Sequence, residues 1–275
     1  MHVVDLTDAY CATILGRGGL SGYCHSYPTL FKHYFQFWAK ARYWHAVLRT
    51  PAAVRRQRVL VRSRLPMIEK KLARAGLDVS QVKLILFVGQ NTSNGHAWLD
   101  RGKFAVWIPI EAYQSKLQVD VFVTHEILHG LQYARRPEFY FTTERERRMV
   151  KRQLITEGFA TWASARVLGL APGTALWADY LSPQKRKRWL LACRRREAEL
   201  KLYLASNFGA VSATAARLFY ANDPGDVFAY RAGYWAGFKA VERVVRHYRY
   251  GVSNLLNLPR PRFERLVKYE YLLKK

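Results

Sequence analysis

An α+β fold is predicted for this chain: a small mixed or antiparallel sheet packed on one amphipathic helix, with a mainly helical remainder. Three observations predict it. Two short apolar runs rich in β-branched residues, VKLILFVG at 82–89 and FAVWIPIEAY at 104–113, flank the turn-rich QNTSNGHAW and read as two or three strands of one sheet. From about Gln118 the spacing changes, and Val119, Phe122, Val123, Ile127 and Leu131 recur three and four residues apart, as on one face of a helix. That helix carries VFVTHEILHGLQ at 121–132.

Residues 1–80 read as a helical N-terminal scaffold, with YPTLFKHYFQFWAKARYWHAVL supplying large aromatics and PMIEKKLARAG forming a short helix closed by Gly76. Residues 81–275 carry the sheet, the VFVTHEILHGLQ helix and a helical C-terminal part, and the two regions are expected to form one compact unit. A second helix is predicted from about Arg152 to Leu168, with Leu154, Ile155, Phe159, Trp162 and Val167 on its apolar side, before GLAPG breaks it. A third, FAYRAGYWAGFKAVERVVRHY at 228–248, follows the turn signal ANDPGD and ends near Gly251. No clean linker separates domains, although SPQ at 182–184 is a candidate joint between two lobes.

Bulk composition narrows the class. A hydrophobic share of 50% with 17 Tyr and 8 Trp in 275 residues argues against a disordered chain and supports a substantial core. Three cysteines, Cys11, Cys24 and Cys193, form no CxxC pair or disulfide framework, which fits a reducing compartment. The N-terminus carries Asp5 and Asp8 where a signal peptide would be basic, and no apolar run is long enough to span a bilayer. A soluble cytoplasmic protein is expected. The excess of 45 Lys+Arg over 20 Asp+Glu cannot be neutralised internally, so a polyanion such as nucleic acid is a candidate partner. The basic runs lie at 55–64, 145–152, 184–196 and the C-terminus, and no nucleic-acid-binding motif accompanies them.

The chemistry concentrates in HEILH. His125 and His129 stand at i and i+4, one turn apart on a single helix face, where their ring nitrogens can converge on one ion. Glu126, beside the first histidine, can act as a general base without occupying a coordination position. The competing reading is a pair of buried, hydrogen-bonded histidines with a solvated glutamate.

A catalytic zinc site requires a third protein ligand. A third histidine six residues beyond His129 is excluded, because Arg135 stands there. Glu144 and Glu146 lie in the charged TTERERRMVKR and read as solvated ion-pair partners. Glu157 lies in QLITEGFATWASARVLG, an otherwise apolar and small-residue helix where an unpaired carboxylate is costly to bury. A metal would offset that cost, and Gly158 and Ala160 would let the two helices approach closely. The alternative is a Glu157 buried against an arginine.

An HExxH followed on a later helix by a ligand glutamate resembles the gluzincins, a clan of zincin-like peptidases. The TEGFATWASA context is similar to the EGxA-type helix of predicted zinc-dependent proteases within that clan. The likeness runs over about 83–250, through LFVG, NGHAW, FAVWIPIE, VTHEILHG, TEGFATW and YRAGYWAG in that order. It implies one Zn2+ per chain held by His125, His129 and Glu157, with Glu126 as general base in peptide hydrolysis. Gluzincins often supply an oxyanion donor from a later helix. Tyr230 and Tyr234, one turn apart in YRAGYWAG, are the candidates here, ahead of Arg231 and His247, with core packing as the competing role for either tyrosine. NGHAWLDRGKFAVWIPIE would form a cleft edge onto which a peptide or protein substrate adds as a strand. His96 could face that cleft or solvent, while Thr124 and Gly130 are assigned packing and supporting roles.

Two functions follow. One is a zinc metallopeptidase. The other is a basic polyanion- or nucleic-acid-binding protein whose HExxH is incidental.

Overall fold

The computed structural model describes residues 1–211 and 217–274. Helices and a four-stranded mixed sheet make it an α+β protein, in two compact units, Met1–Ala134 and Arg135–Lys275. Among the described residues no helix is long and apolar enough to cross a membrane.

The first unit contains β1 (His2–Asp5), α1 (Thr7–Ile14), α2 (Gly19–His25), α3 (Pro28–Phe37), α4 (Pro51–Arg62), α5 (Leu65–Arg74), β2 (Lys83–Phe87), β3 (His96–Asp100), β4 (Lys103–Pro109) and α6 (Lys116–Arg135). The strand order is β1-β2-β4-β3, with β1 and β4 parallel to β2 and β3 antiparallel to β4. Four of the five residues of KLILF in β2 are buried, the continuous apolar pattern of a central strand covered on both faces. Arg101 and Gly102, at φ 50° and 81°, make the two-residue turn joining β3 to β4, where both positions need left-handed backbone.

Strand alternation divides the side chains between two layers. On one face, α3 sets Tyr34 against Phe87 and Trp107, at ring-centroid distances of 5.2 and 5.5 Å, and His33 against His96 at 5.4 Å. On the other, α6 comes so close that a Cβ on Gly130 would lie 2.9 Å from Val106 Cγ2. Asp100 closes the far end of β3, accepting from Tyr27 Oη at 2.6 Å, Thr29 Oγ1 at 2.7 Å and Lys83 Nζ at 3.1 Å.

The strand β1 departs from the helical reading of residues 1–80. HVVD is four residues long with no turn signal before it, and its partner Lys83–Leu86 lies about eighty positions away, so only the fold reveals the pairing. The aromatic run predicted as helix ends at Phe37, after which Ala41–Tyr43 form only a 3-10 turn.

The second unit contains α7 (Glu144–Arg147), α8 (Val150–Leu168), α9 (Pro172–Trp177), α10 (Pro183–Arg195), α11 (Glu197–Ser206), α12 (Ala232–Tyr248), α13 (Val252–Asn257) and α14 (Arg260–Val267), followed by a π-helical turn at Lys268–Leu273. SPQ at 182–184 starts a helix: Ser182 Oγ accepts from Lys185 N and Pro183 opens α10. The core contact joins α8 to α12, where a Cβ on Gly158 would lie 2.5 Å from Gly237 C and O, and one on Gly237 2.5 Å from Leu154 O. Two glycines face each other because any side chain would strike backbone.

Candidate metal centre

Helix α6 begins where Ser115 Oγ accepts from Gln118 N at 3.1 Å and Gln118 Oε1 accepts from Gln114 N at 2.8 Å, satisfying donors at its N-terminus. The apolar face expected of it is buried, and so is most of the rest of its circumference, including Thr124, Leu128, Gly130 and Gln132. His125 and His129 are 7% and 4% exposed, which excludes both from ordinary solvation. Their rings meet edge to face, with the two Nε2 atoms 3.0 Å apart. His129 also stacks on Tyr133 at 5.6 Å, and Tyr133 packs at a tilt against Phe104 at 5.7 Å, which fixes the imidazole plane.

Glu126 is partly exposed and turned toward the start of β3. A Cβ on Gly95 would lie 2.7 Å from Glu126 Cγ and 3.1 Å from Trp107 O, so only a glycine backbone fits between this glutamate and the sheet. Gly95 sits at φ 148°, a conformation side chains disfavour. The sequence signal for this contact was the NG dipeptide, read only as a turn.

Sequence reasoning passed over Glu111. Its carboxylate is 9% exposed and accepts from Gly89 N at 2.9 Å and Asn91 N at 3.2 Å. Burial pushes its pKa up to about 7, against the lowering effect of those backbone donors. Tyr34 Oη accepts from Gln90 N at 2.8 Å and Tyr113 Oη donates to Asn94 O, so residues 89–95 are fixed from several sides. The signal was present in IPIEAY: a carboxylate inside an apolar run, the pattern that singled out Glu157.

In α8, Glu157 is half-buried, one residue from the Gly158 contact. Gly158 was expected to bring its helix close to the HEILH helix. Its absent side chain instead admits the Gly237 backbone of α12, because that crossing is tight enough to exclude a Cβ. Arg152, five residues earlier, is 4% exposed, donates to Glu138 O and Tyr140 O at 2.7 and 2.5 Å, and pairs with Glu146 at 3.2 Å. Glu144 pairs with Arg147 and Arg148, the surface role expected of it.

His125, His129 and Glu157 each offer one ligand atom within 4.8 Å of the others. Four-coordinate zinc holds ligands at about 2.0–2.2 Å, which sets neighbouring donors roughly 3.3 Å apart. The 3.0 Å between the two Nε2 atoms suits that geometry, and two imidazoles with one carboxylate are a donor set zinc favours. The residues present therefore fit the ion.

The two tyrosines are placed differently from the expectation of one shared helix face. The chain turns left-handed at Arg231, with φ 60° and ψ 22°, so α12 starts at Ala232 and Tyr230 lies outside it. Tyr230 packs on Trp177 at 4.7 Å and its carbonyl accepts from Trp189 Nε1, whereas the Tyr234 ring lies under the Arg231 guanidinium at 4.2 Å. His247 is an exposed residue near the Glu270 carboxylate. His96 points into the aromatic layer at 8% exposure, stacked on His33, and not toward solvent.

A buried helix bearing two convergent imidazoles, with a carboxylate within reach, defines a candidate metal-binding protein. The chain belongs to the family described as predicted Zn-dependent protease (DUF2268), which it matches over residues 79–264. No curated protein and no solved structure matches it.

Proposed function

We propose that this chain is a gluzincin-type, zincin-like zinc peptidase with His125, His129 and Glu157 as ligands and Glu126 as general base. The observation that carries the reading is the convergence of those three side chains within 4.8 Å. Zinc, when bound, supplies a Lewis acid that polarises the peptide carbonyl and makes water easier to deprotonate. Glu126 would accept the proton from the attacking water and return it to the leaving amine. Tyr230 or Tyr234 is the proposed donor to the oxyanion, with Arg231 next. The edge strand β3 would take an extended peptide by main-chain hydrogen bonds, so the substrate is a polypeptide.

Metal content tests the reading. Protein purified without chelator should hold about one zinc per chain, and His129→Ala should lose it. Protein without stoichiometric metal would defeat the proposal.

One observation favours a second, compatible property. The exposed residues Lys185, Lys187, Arg188, Arg194 and Arg195 sit on α10 in a stretch without a single acid, which suits association with a polyanion.

A further inference from the structure

We propose that a pocket walled by Phe37, Trp38, Lys40, Tyr43, His45 and Thr92 is the site that selects substrate, taking a large aromatic or apolar side chain close to the bond cleaved. This deepens the peptidase reading above and rests on it. The pocket has a volume of about 320 Å³ and opens to solvent. Its ring walls are Phe37, Trp38 and Tyr43; no acid lines it, and Lys40 and His45 bring basic groups to it. An aromatic or aliphatic group is suited to those walls, and a lysine or arginine side chain is disfavoured by Lys40.

Its position ties it to Glu126. The Trp38 ring meets His96 edge to face at 4.9 Å, His96 follows Gly95, and a Cβ on Gly95 would lie 2.7 Å from Glu126 Cγ. The pocket wall is fastened to the same loop: Gln90 Nε2 donates to His45 O at 2.7 Å and His45 N donates to Gln90 Oε1 at 3.2 Å. At the start of β3, Glu126 therefore lies toward the α6 layer and Trp38 toward the α3 layer. A peptide extended along that edge points alternate side chains to opposite faces. When one residue of such a strand is held toward Glu126, its neighbour is directed at Trp38. The wall from Phe37 to His45 precedes residues 79–264, so the pocket is built largely from chain outside the family match.

The test profiles a randomised peptide library with the zinc-loaded protein and with Tyr43→Ala and Lys40→Glu. Tyr43 is 65% exposed and Lys40 is exposed as well, so neither change removes core packing. The wild type should favour Phe, Tyr, Trp or Leu at least fivefold over Gly at one position within two residues of the cleaved bond. Tyr43→Ala should reduce that preference threefold or more at that position alone. Lys40→Glu should raise acceptance of Lys and Arg there by a similar factor, a gain that structural damage does not produce. A cleaving wild type whose profile is flat, or is unchanged in both variants, overturns the pocket assignment and leaves the peptidase standing. A zinc-loaded wild type that cleaves no member of the library defeats the peptidase reading, and the pocket assignment with it.

Discussion

Replacing Glu126 by Gln removes the proposed base and leaves the three candidate ligands untouched, whereas replacing Glu157 by Ala removes a candidate ligand and leaves the proposed base. The proposed chemistry predicts opposite outcomes. Glu126→Gln should keep its zinc and lose about 10²–10⁴-fold in peptide hydrolysis, the usual worth of a positioned general base. Glu157→Ala should weaken zinc binding by about 100-fold or more, since even outer partners of a ligand are worth roughly 10–100-fold. Zinc titration with a chromogenic competitor reads the second, and a peptide cleavage assay the first. Zinc affinity unchanged in Glu157→Ala would show that the third ligand lies elsewhere. Among single residues, the histidines and Glu157 were legible because a carboxylate or imidazole in an apolar helix needs a reason to be there. Gly95 was not, because nothing local tells a turn glycine whose Cβ would strike Glu126 from one that faces solvent.

Glu111 carries a second prediction at this scale. Its pKa rises from 4.5 to about 7 on burial, so the folded protein binds its proton more tightly than the unfolded chain does. The stability this contributes is fully present below pH 4.5 and is lost as pH rises through 7, in total about 3 kcal/mol. Glu111→Gln cannot titrate. The gap between wild type and variant in urea unfolding free energy should therefore shift by that amount between pH 4.5 and 7.5, against the wild type at the higher pH. A constant gap would show that Glu111 is not the buried acid its surroundings make it.

At the scale of elements, Gly158 and Gly237 show how much α8 depends on backbone contact. A Cβ at either position would stand 2.5 Å from main-chain atoms of the other helix, which have no rotamer by which to yield. Gly158→Ala should cost about 3 kcal/mol or more, at or above the upper end of ordinary overpacking. It should also lower zinc affinity, because Glu157 is the adjacent residue. Gly169→Ala, at a left-handed helix end with open space around it, is the control: strain of about 1 kcal/mol and unchanged zinc binding, read by thermal unfolding and metal titration. Elements were legible where periodicity is local and long: α6 was expected to start at about Gln118 and starts at Lys116, and α8 was expected over about Arg152–Leu168 and spans Val150–Leu168. Tyr230 was misplaced because the sequence YRAGYWAG continues a helical pattern through Arg231, and only the left-handed turn there excludes it. The strand β3 was hidden in a stretch dominated by turn residues, and the antiparallel partner β4 is what makes it a strand.

At the scale of the whole molecule, the net charge of +25 has a distribution that composition alone does not show. Much of the acid is already engaged: Asp5 with Arg58 and Arg62, Asp120 with Arg64, Glu146 with Arg152, Glu264 with Lys151. At the end of α10, Arg196 is engaged by Glu199 and Asp226. Among the described residues Lys185, Lys187, Arg188, Arg194 and Arg195 make no ion pair, so their charge is directed at solvent. A polyanion that binds there should release counterions, and the logarithm of its affinity should fall linearly with the logarithm of salt by about 0.9 per duplex phosphate contacted. Changing Lys187, Arg188, Arg194 and Arg195 together to Gln should flatten the slope by roughly 3–4 and weaken binding more than tenfold at low salt. Zinc content should stay the same. Fluorescence anisotropy with a labelled DNA duplex, repeated across a salt series, measures both quantities. A slope equal in wild type and variant would move the contact to another basic run, of which 55–64 and 145–152 already share their charge with Asp5, Asp8, Asp120, Glu144 and Glu146.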